Sequence, residues 1–368
     1  MTFDYNAAFK GIFESFGIKT TSASGGGINA VKSLIAAKAE KTEGEDELQS
    51  VAIEPADTGN EEADEAIDKI NEQLQETEEN YQKQIKQCYQ QIQTLQNQLS
   101  SISKQEQTMS YQAYGGSTGA EQINQTLMSI AEQKNEIYDK IDMMLLNISE
   151  LEEALAEAQE KAQKSIDDIM EQIAQMGDNA PAAVTAIGDV QLAQPSEVKL
   201  STSNAISTSS ISNTGNGAVN TALKYDDKSA SEMKDIMKNA GAKYHDGAWC
   251  ADFVSFAIQE TYGKDNSPGN FLNSCPNTSS CQTIKNWASS NDCWTTNLNN
   301  VKSGDIVVYD WDGDGHADHV GLFASSNGAS SINTVEGNTS GAAGKSCVEA
   351  KKRSTGKVLG YVTLSQFQ

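Results

Sequence analysis

Arginine is almost absent: Arg353 is the only one in the 368 residues. That leaves little of the planar, bidentate recognition by which arginine holds phosphate groups. Basic residues as a whole are outnumbered, 27 Lys and Arg against 51 Asp and Glu, for a formal net charge of −24. A polyanion of this kind is repelled by nucleic acid and by anionic membrane surfaces, which excludes nucleic acid as a partner. The anionic polymers of a bacterial wall would repel it too, so no charge-driven wall anchor is expected. No stretch approaches the roughly 20 apolar residues that span a bilayer. Residues 1–20 lack a basic segment followed by an apolar one, and so lack a recognisable secretory signal. Aromatics are scarce, and all four Trp lie after residue 243. A compact core is therefore expected at the C-terminus, behind something leaner. No C-x-x-C pair is present, which removes the usual basis for a zinc site.

What is there divides the chain into four parts. Residues 1–60 are rich in Gly, Ser, Glu and Ala and read as a flexible segment with short helices. Phe3, Phe9, Phe13 and Phe16 line one side of a short amphipathic helix, which either packs on a neighbour or is read by export machinery. Residues 61–176 carry two heptad runs. Ile67, Ile70, Leu74, Thr77 and Tyr81 begin the first, and Ile130, Ile137, Ile141, Ile148 and Leu151 mark the second. Each strip buries one seam only, so each helix needs a partner. The Gly-rich break at 111–120 predicts an antiparallel coiled-coil hairpin. A regulatory or docking lever and a plain oligomerisation stalk fit this pattern equally, so a protein partner or self-association is expected there. Residues 177–217, with Pro181, Pro195 and runs of Ser, Thr and Asn, predict a disordered linker. From 218 to 368 the pattern is globular. Short helices come first, then strands near 305–309, 319–324, 331–336, 347–352 and 358–364, which is an α+β order.

The chemistry lies in this last part. Cys250 opens the strongest helix, where unpaired N–H groups favour a thiolate. Alone it would read as a buried structural cysteine. His319 opens a strand and is the expected base; the other two histidines, His245 and His316, sit in loops. Glu336 and, as second choice, Asn338 end the next strand, where a polar side chain can fix the imidazole tautomer. Asp310, Asp312 and Asp314 stand at alternate positions before a Gly, with Asp318 further on, like part of a calcium loop that lacks its final Glu. The plainer reading is a solvated acidic loop that raises the affinity of His319 for its proton.

Four short pieces, in this order and spacing, resemble the CHAP domain, the cysteine- and histidine-dependent amidohydrolase/peptidase family. They are Trp249-Cys250-Ala251-Asp252-Phe253-Val254-Ser255, Gly304-Asp305-Ile306-Val307, Asp318-His319-Val320-Gly321 and Glu336-Gly337-Asn338-Thr339. The resemblance implies a papain-like fold for 218–368 and hydrolysis of amide bonds in peptidoglycan. It places the nucleophile at Cys250, the base at His319 and its partner at Glu336, with Asn338 beside it. It also admits calcium near the site, though the chemistry requires no cofactor. In layout alone the chain is similar to bacterial division hydrolases whose coiled coil restrains the enzyme. Those carry signal peptides, so an extracellular or cell-envelope location by another route is expected here.

Setting Cys250 aside leaves Cys275, Cys281, Cys293 and Cys347 in the C-terminal part, an even number that permits two disulfides. Cys275 and Cys281 flank a short loop and are the easiest pair to bridge. Two readings stand beside the wall hydrolase: a secreted effector with protease or amidase activity on a target protein, and a coiled-coil binding protein whose C-terminal domain is not catalytic.

Overall fold

A computed structural model describes residues 56, 58–114, 120–176, 190–211, 215–341 and 345–368. The N-terminal phenylalanines, the glycines of the hairpin turn and the first part of the expected linker lie outside these residues. Among the described residues no helix is long and apolar enough to cross a membrane.

Two long helices come first, α1 (Glu61–Tyr114) and α2 (Ala120–Met176). The Asn60 side chain accepts from the Ala63 N–H, and Glu61, Glu62 and Asp64 complement the positive end of α1. Neither helix contains Gly or Pro. The helical region is consistent with a coiled coil.

The described residues fall into two compact units, and the long helices contribute to both: those up to 83 with those of 152–198, and those of 84–151 with those of 199–368. This differs from the four-part division read from the sequence. In the first unit Ala63, Ile67, Ile70 and Leu74 pack with Ala158, Ala162, Ile166 and Ile169. Gln159 bonds Glu78 at 2.7 Å, so early residues of α1 meet late residues of α2, as antiparallel pairing requires.

The described part of the expected disordered linker is ordered, which corrects that expectation. Leu192 joins the core of the first unit, the Tyr81 hydroxyl donates to the Ala193 carbonyl, and Gln194 donates to Thr77. Further on, Asn204 is buried and Ala205 bridges to Lys351. Composition misleads here because the segment forms no element of its own but borrows partners from elements already formed.

The second unit holds the α+β domain. Its helices are α3 (Gly217–Leu223), α4 (Ala230–Asn239), α5 (Cys250–Tyr262), α6 (Phe271–Ser274) and α7 (Cys281–Ser290). Its strands are β1 (Trp294–Thr295), β2 (Ile306–Tyr309), β3 (His319–Asn327), β4 (Ser331–Ser340), β5 (Ser346–Ser354) and β6 (Val358–Val362). They form one antiparallel sheet in the order β1-β6-β2-β3-β4-β5. α5 is buried all round from Cys250 to Ile258 and packs on β3 and β4.

Side chains alternate across the sheet. Ile306, Val308, Val320, Leu322, Val335 and Ala350 point into the core beneath α5. The intervening positions carry Tyr309, Gly321, Thr334, Glu336 and Arg353. An antiparallel sheet commonly leaves such a face to water. Here all ten residues of β4 are buried, because α2 lies across this second face.

Candidate active site

Cys250 is the first residue of α5, at the end of the helix whose N–H groups lack intrahelical partners. The preceding loop is pinned by Asp252, whose Oδ2 accepts from the His245 backbone N–H at 2.8 Å and lies 2.8 Å from the His245 ring. His245 is thus a loop anchor. His316 is exposed beside Asp314.

His319 opens β3, and its Nε2 lies 3.0 Å from Glu336 Oε2 on β4. With Nε2 committed to Glu336, Nδ1 is left for Cys250, whose thiolate is the foremost group raising the affinity of the ring for its proton. Strand register makes the pair possible, and Gly321 makes it close: a Cβ there would stand 2.7 Å from Glu336 Cγ. Gly337 has the same reason to be bare, since a Cβ would meet Trp249 at 2.7 Å.

Glu336 is completely buried and over-determined. Arg353 on β5 grips it with both sides of its fork, Nε to Oε1 at 3.0 Å and Nη2 to Oε2 at 2.6 Å. The Thr334 and Tyr309 hydroxyls also donate to Oε1. Burial opposes its charge, but Arg353 and then His319 outweigh burial and hold the carboxyl well below its ordinary range. Burial likewise opposes a charged imidazole, yet Cys250 and Glu336 push His319 up to about 9. The Cys250 thiol is drawn well below the ordinary range, first by a hydrogen bond from Cys281 and then by His319. The three side chains together favour a thiolate–imidazolium pair at neutral pH.

The other predicted residues divide. Asn338 does not meet His319: it is buried in the left-handed region (φ 55) and accepts from Ser346 Oγ at 2.8 Å. Asp310, Asp312 and Asp314 converge, each offering a carboxylate oxygen within 4.8 Å of the others. Asp318 is not among them. Its Oδ2 accepts from the Trp311 N–H at 2.7 Å, and burial followed by Asp312 raises it to about 6. All six cysteines are free thiols, so the expected bridge between Cys275 and Cys281 is absent. Cys281, the first residue of α7, instead sets its sulfur 3.5 Å from that of Cys250. Trp249 and Trp287 belong to the core, whereas Trp311 stacks on Tyr309 with ring centroids 5.0 Å apart.

Residues 241–338 match the family model of the CHAP domain. No curated protein and no solved structure matches the chain. The CHAP domain is of a peptidase/amidase-type hydrolase family, and the matched segment contains Cys250, His319 and Glu336. Arg353, which holds Glu336, lies beyond it.

The CHAP domain is not open to a peptide in this structure. Cys250 is 3 % exposed and His319 2 %. The cover is α2. Tyr138 stacks on Trp311 at 5.4 Å and stands 6.3 Å from the His319 ring. Arg353 Nη1 donates to Asp139 Oδ1 at 2.7 Å, so the only arginine of the chain ties the site carboxylate to the covering helix. Asp142, wholly buried, accepts from the Ser354 N–H at 2.8 Å, and Lys351 donates to Asp139 at 3.1 Å. The sequence carried a signal for this that heptad reading passes over. Ala131, Asn135, Tyr138 and Asp142 step by four, three and four beside the coiled-coil seam, and all four are buried. A helix with two buried stripes has two partners.

Proposed function

We propose that the CHAP domain is a cysteine amidase or endopeptidase that cleaves peptide bonds of peptidoglycan, and that the described arrangement is its latent form. The observation that carries the reading is the buried series Cys250, His319 and Glu336, in which His319 is hydrogen-bonded to Glu336 and electrostatically coupled to Cys250 at the start of α5. His319 takes the thiol proton, and the Cys250 thiolate attacks the amide carbonyl. Backbone N–H groups at the start of α5 receive the developing oxyanion. His319 protonates the leaving amine, and water then cleaves the thioester, with His319 again as base. Glu336 keeps the imidazole in one tautomer, and Arg353 keeps Glu336 charged and aimed. Asp310, Asp312 and Asp314 are the residues that would hold a calcium ion, bracing the loop that leads into His319. The proposed location is extracellular or at the cell envelope.

Latency follows from where Tyr138 sits. Its hydroxyl and the Trp311 indole N–H are buried with no hydrogen-bond partner among the described residues. Each unpaired group costs about 1–3 kcal/mol. The cover is thus held by the Arg353 and Lys351 network against a local penalty, which suits a contact made to be released.

The test is digestion of purified peptidoglycan by the full chain, read by mass spectrometry, beside Tyr138→Ala and the pair Asp139→Asn with Asp142→Asn. Opening should raise cleavage about tenfold or more, the equivalent of about 1.4 kcal/mol. Adding Cys250→Ala to an opened variant should lower it roughly 10³-fold. Iodoacetamide that labels Cys250 no faster in the opened variants would discard the cover. Fast labelling without cleavage would discard peptidoglycan and favour a protein substrate.

A further inference from the structure

The hydrolytic series uses one sulfur, but the structure provides two. α5 and α7 each begin with a cysteine, and the two helix starts converge so that Cys250 Sγ and Cys281 Sγ stand 3.5 Å apart. The chain between them loops through α6 and back, so the contact is a product of the fold and not of sequence proximity. Beyond Cys250, the Cys281 sulfur has a long contact, 3.9 Å, to the Asp318 carbonyl. Nothing in the amide chemistry needs a thiol at this place. A disulfide requires the sulfurs to close by about 1.5 Å.

We propose that Cys250 and Cys281 form a reversible redox pair, in which a hydroperoxide converts the nucleophile into a disulfide and a dithiol restores it. This rests on Cys250 being the thiolate nucleophile of the proposed hydrolase. In the first step the thiolate attacks the peroxide oxygen. An S–O bond forms, the O–O bond breaks, and the departing hydroxide takes up a proton to leave as water. Cys250 is now a sulfenic acid. In the second step the Cys281 sulfur attacks the Cys250 sulfur. The S–S bond forms, the S–O bond breaks, and a second water leaves with the Cys281 proton. Two thiols have given two electrons to one peroxide. Two thiol–disulfide exchanges with an external dithiol reverse the change. The nucleophile is thereby switched off without passing to the sulfinic acid, which a dithiol does not reduce.

Cys281 is also placed to act without oxidation. Its hydrogen bond to Cys250 favours the thiolate that a peroxide attacks, while its own proton is held more tightly, chiefly by that same bond. The attacking and resolving roles are thus assigned in advance.

The experiment exposes the full chain to hydrogen peroxide, blocks the remaining thiols, and maps the digested protein by mass spectrometry with and without dithiothreitol. Hydrogen peroxide is little larger than water, so the probe does not need a cleft wide enough for a peptide. Cys281→Ser and Cys281→Ala, checked for an unchanged melting temperature, are treated alongside. The expected product is a peptide containing Cys250 joined to one containing Cys281, which dithiothreitol separates. In both variants Cys250 should pass on to the sulfinic acid, with about tenfold less thiol recovered by dithiothreitol. Equal sulfinic acid in wild type and variants, with no joined peptide, would overturn the proposal. So would both sulfurs staying reduced in the wild type and in Tyr138→Ala. Because the readout is the bonding of the two sulfurs, it is separate from whether peptidoglycan is the substrate.

Discussion

At the scale of single residues, the site depends as much on missing atoms as on present ones. Gly321 leaves room for Glu336, whose Cγ would stand 2.7 Å from any Cβ placed there. Gly321→Ala should therefore push Glu336 from His319 and lower kcat/KM about 100-fold, the usual consequence of a misplacement near 1 Å. The variant should still fold, and an unchanged rate would mean that Glu336 does not position the base. The acid–base balance is also testable. His319 holds its proton up to about 9, so the rate should fall as pH rises through that value. The acid limb belongs to Cys250, which burial alone would raise but which Cys281 and His319 bring well below its ordinary range. Glu336→Gln removes one cause of the His319 shift, and the alkaline limb should then move down toward neutrality. A limb that stays near 9 would leave Cys250 as the dominant cause.

At the scale of elements, α2 is the part that does two things. One stripe meets α1 and another meets the sheet, and Arg353 is where the second stripe is fastened. Arg353→Met would leave Asp142 without its cation, Glu336 with His319 alone and Asp139 with Lys351 alone. Breaking a buried ion pair by removing one partner costs about 3–5 kcal/mol, a loss that denaturant unfolding of the full chain would register. Arg353→Lys should recover little of it, since one ammonium cannot hold Glu336 with two parallel bonds and reach Asp139 as well. A lysine that restores full stability would show that charge alone matters there. The heptads were legible in the sequence because apolar side chains recur at the helical period. The second stripe left only the four-three-four spacing of Ala131, Asn135, Tyr138 and Asp142, which apolar periodicity passes over because Asn135 and Asp142 are polar.

At the scale of the whole molecule, the net charge of −24 bears on the substrate. A wall carrying anionic polymer should be digested faster as salt rises from about 10 mM to about 150 mM, because the screening length falls from roughly 30 Å to 8 Å. Peptidoglycan stripped of that polymer should show little change. Equal salt responses from the two would take charge out of the encounter.

The sequence by itself determined the α+β order, the positions of five of the six strands, the two-residue β1 being too short to show a period, and three of the residues that meet: a cysteine at a helix start, a histidine opening a strand, and a glutamate on the next. Local pattern suffices for these because helix starts, strand period and glycine positions are short-range properties. It also brought Asp310, Asp312 and Asp314 together, since close neighbours in a tight loop have nowhere else to go. Only the tertiary structure decided the rest. It turned Asn338 away from the imidazole and toward Ser346, placed Cys281 on Cys250 instead of Cys275, and drew residues of the expected linker onto elements already formed. It made the one arginine the link between the site and its cover. These are contacts between residues far apart in the chain, fixed by strand order and by which face of a helix is left to bury, and no local pattern carries that information.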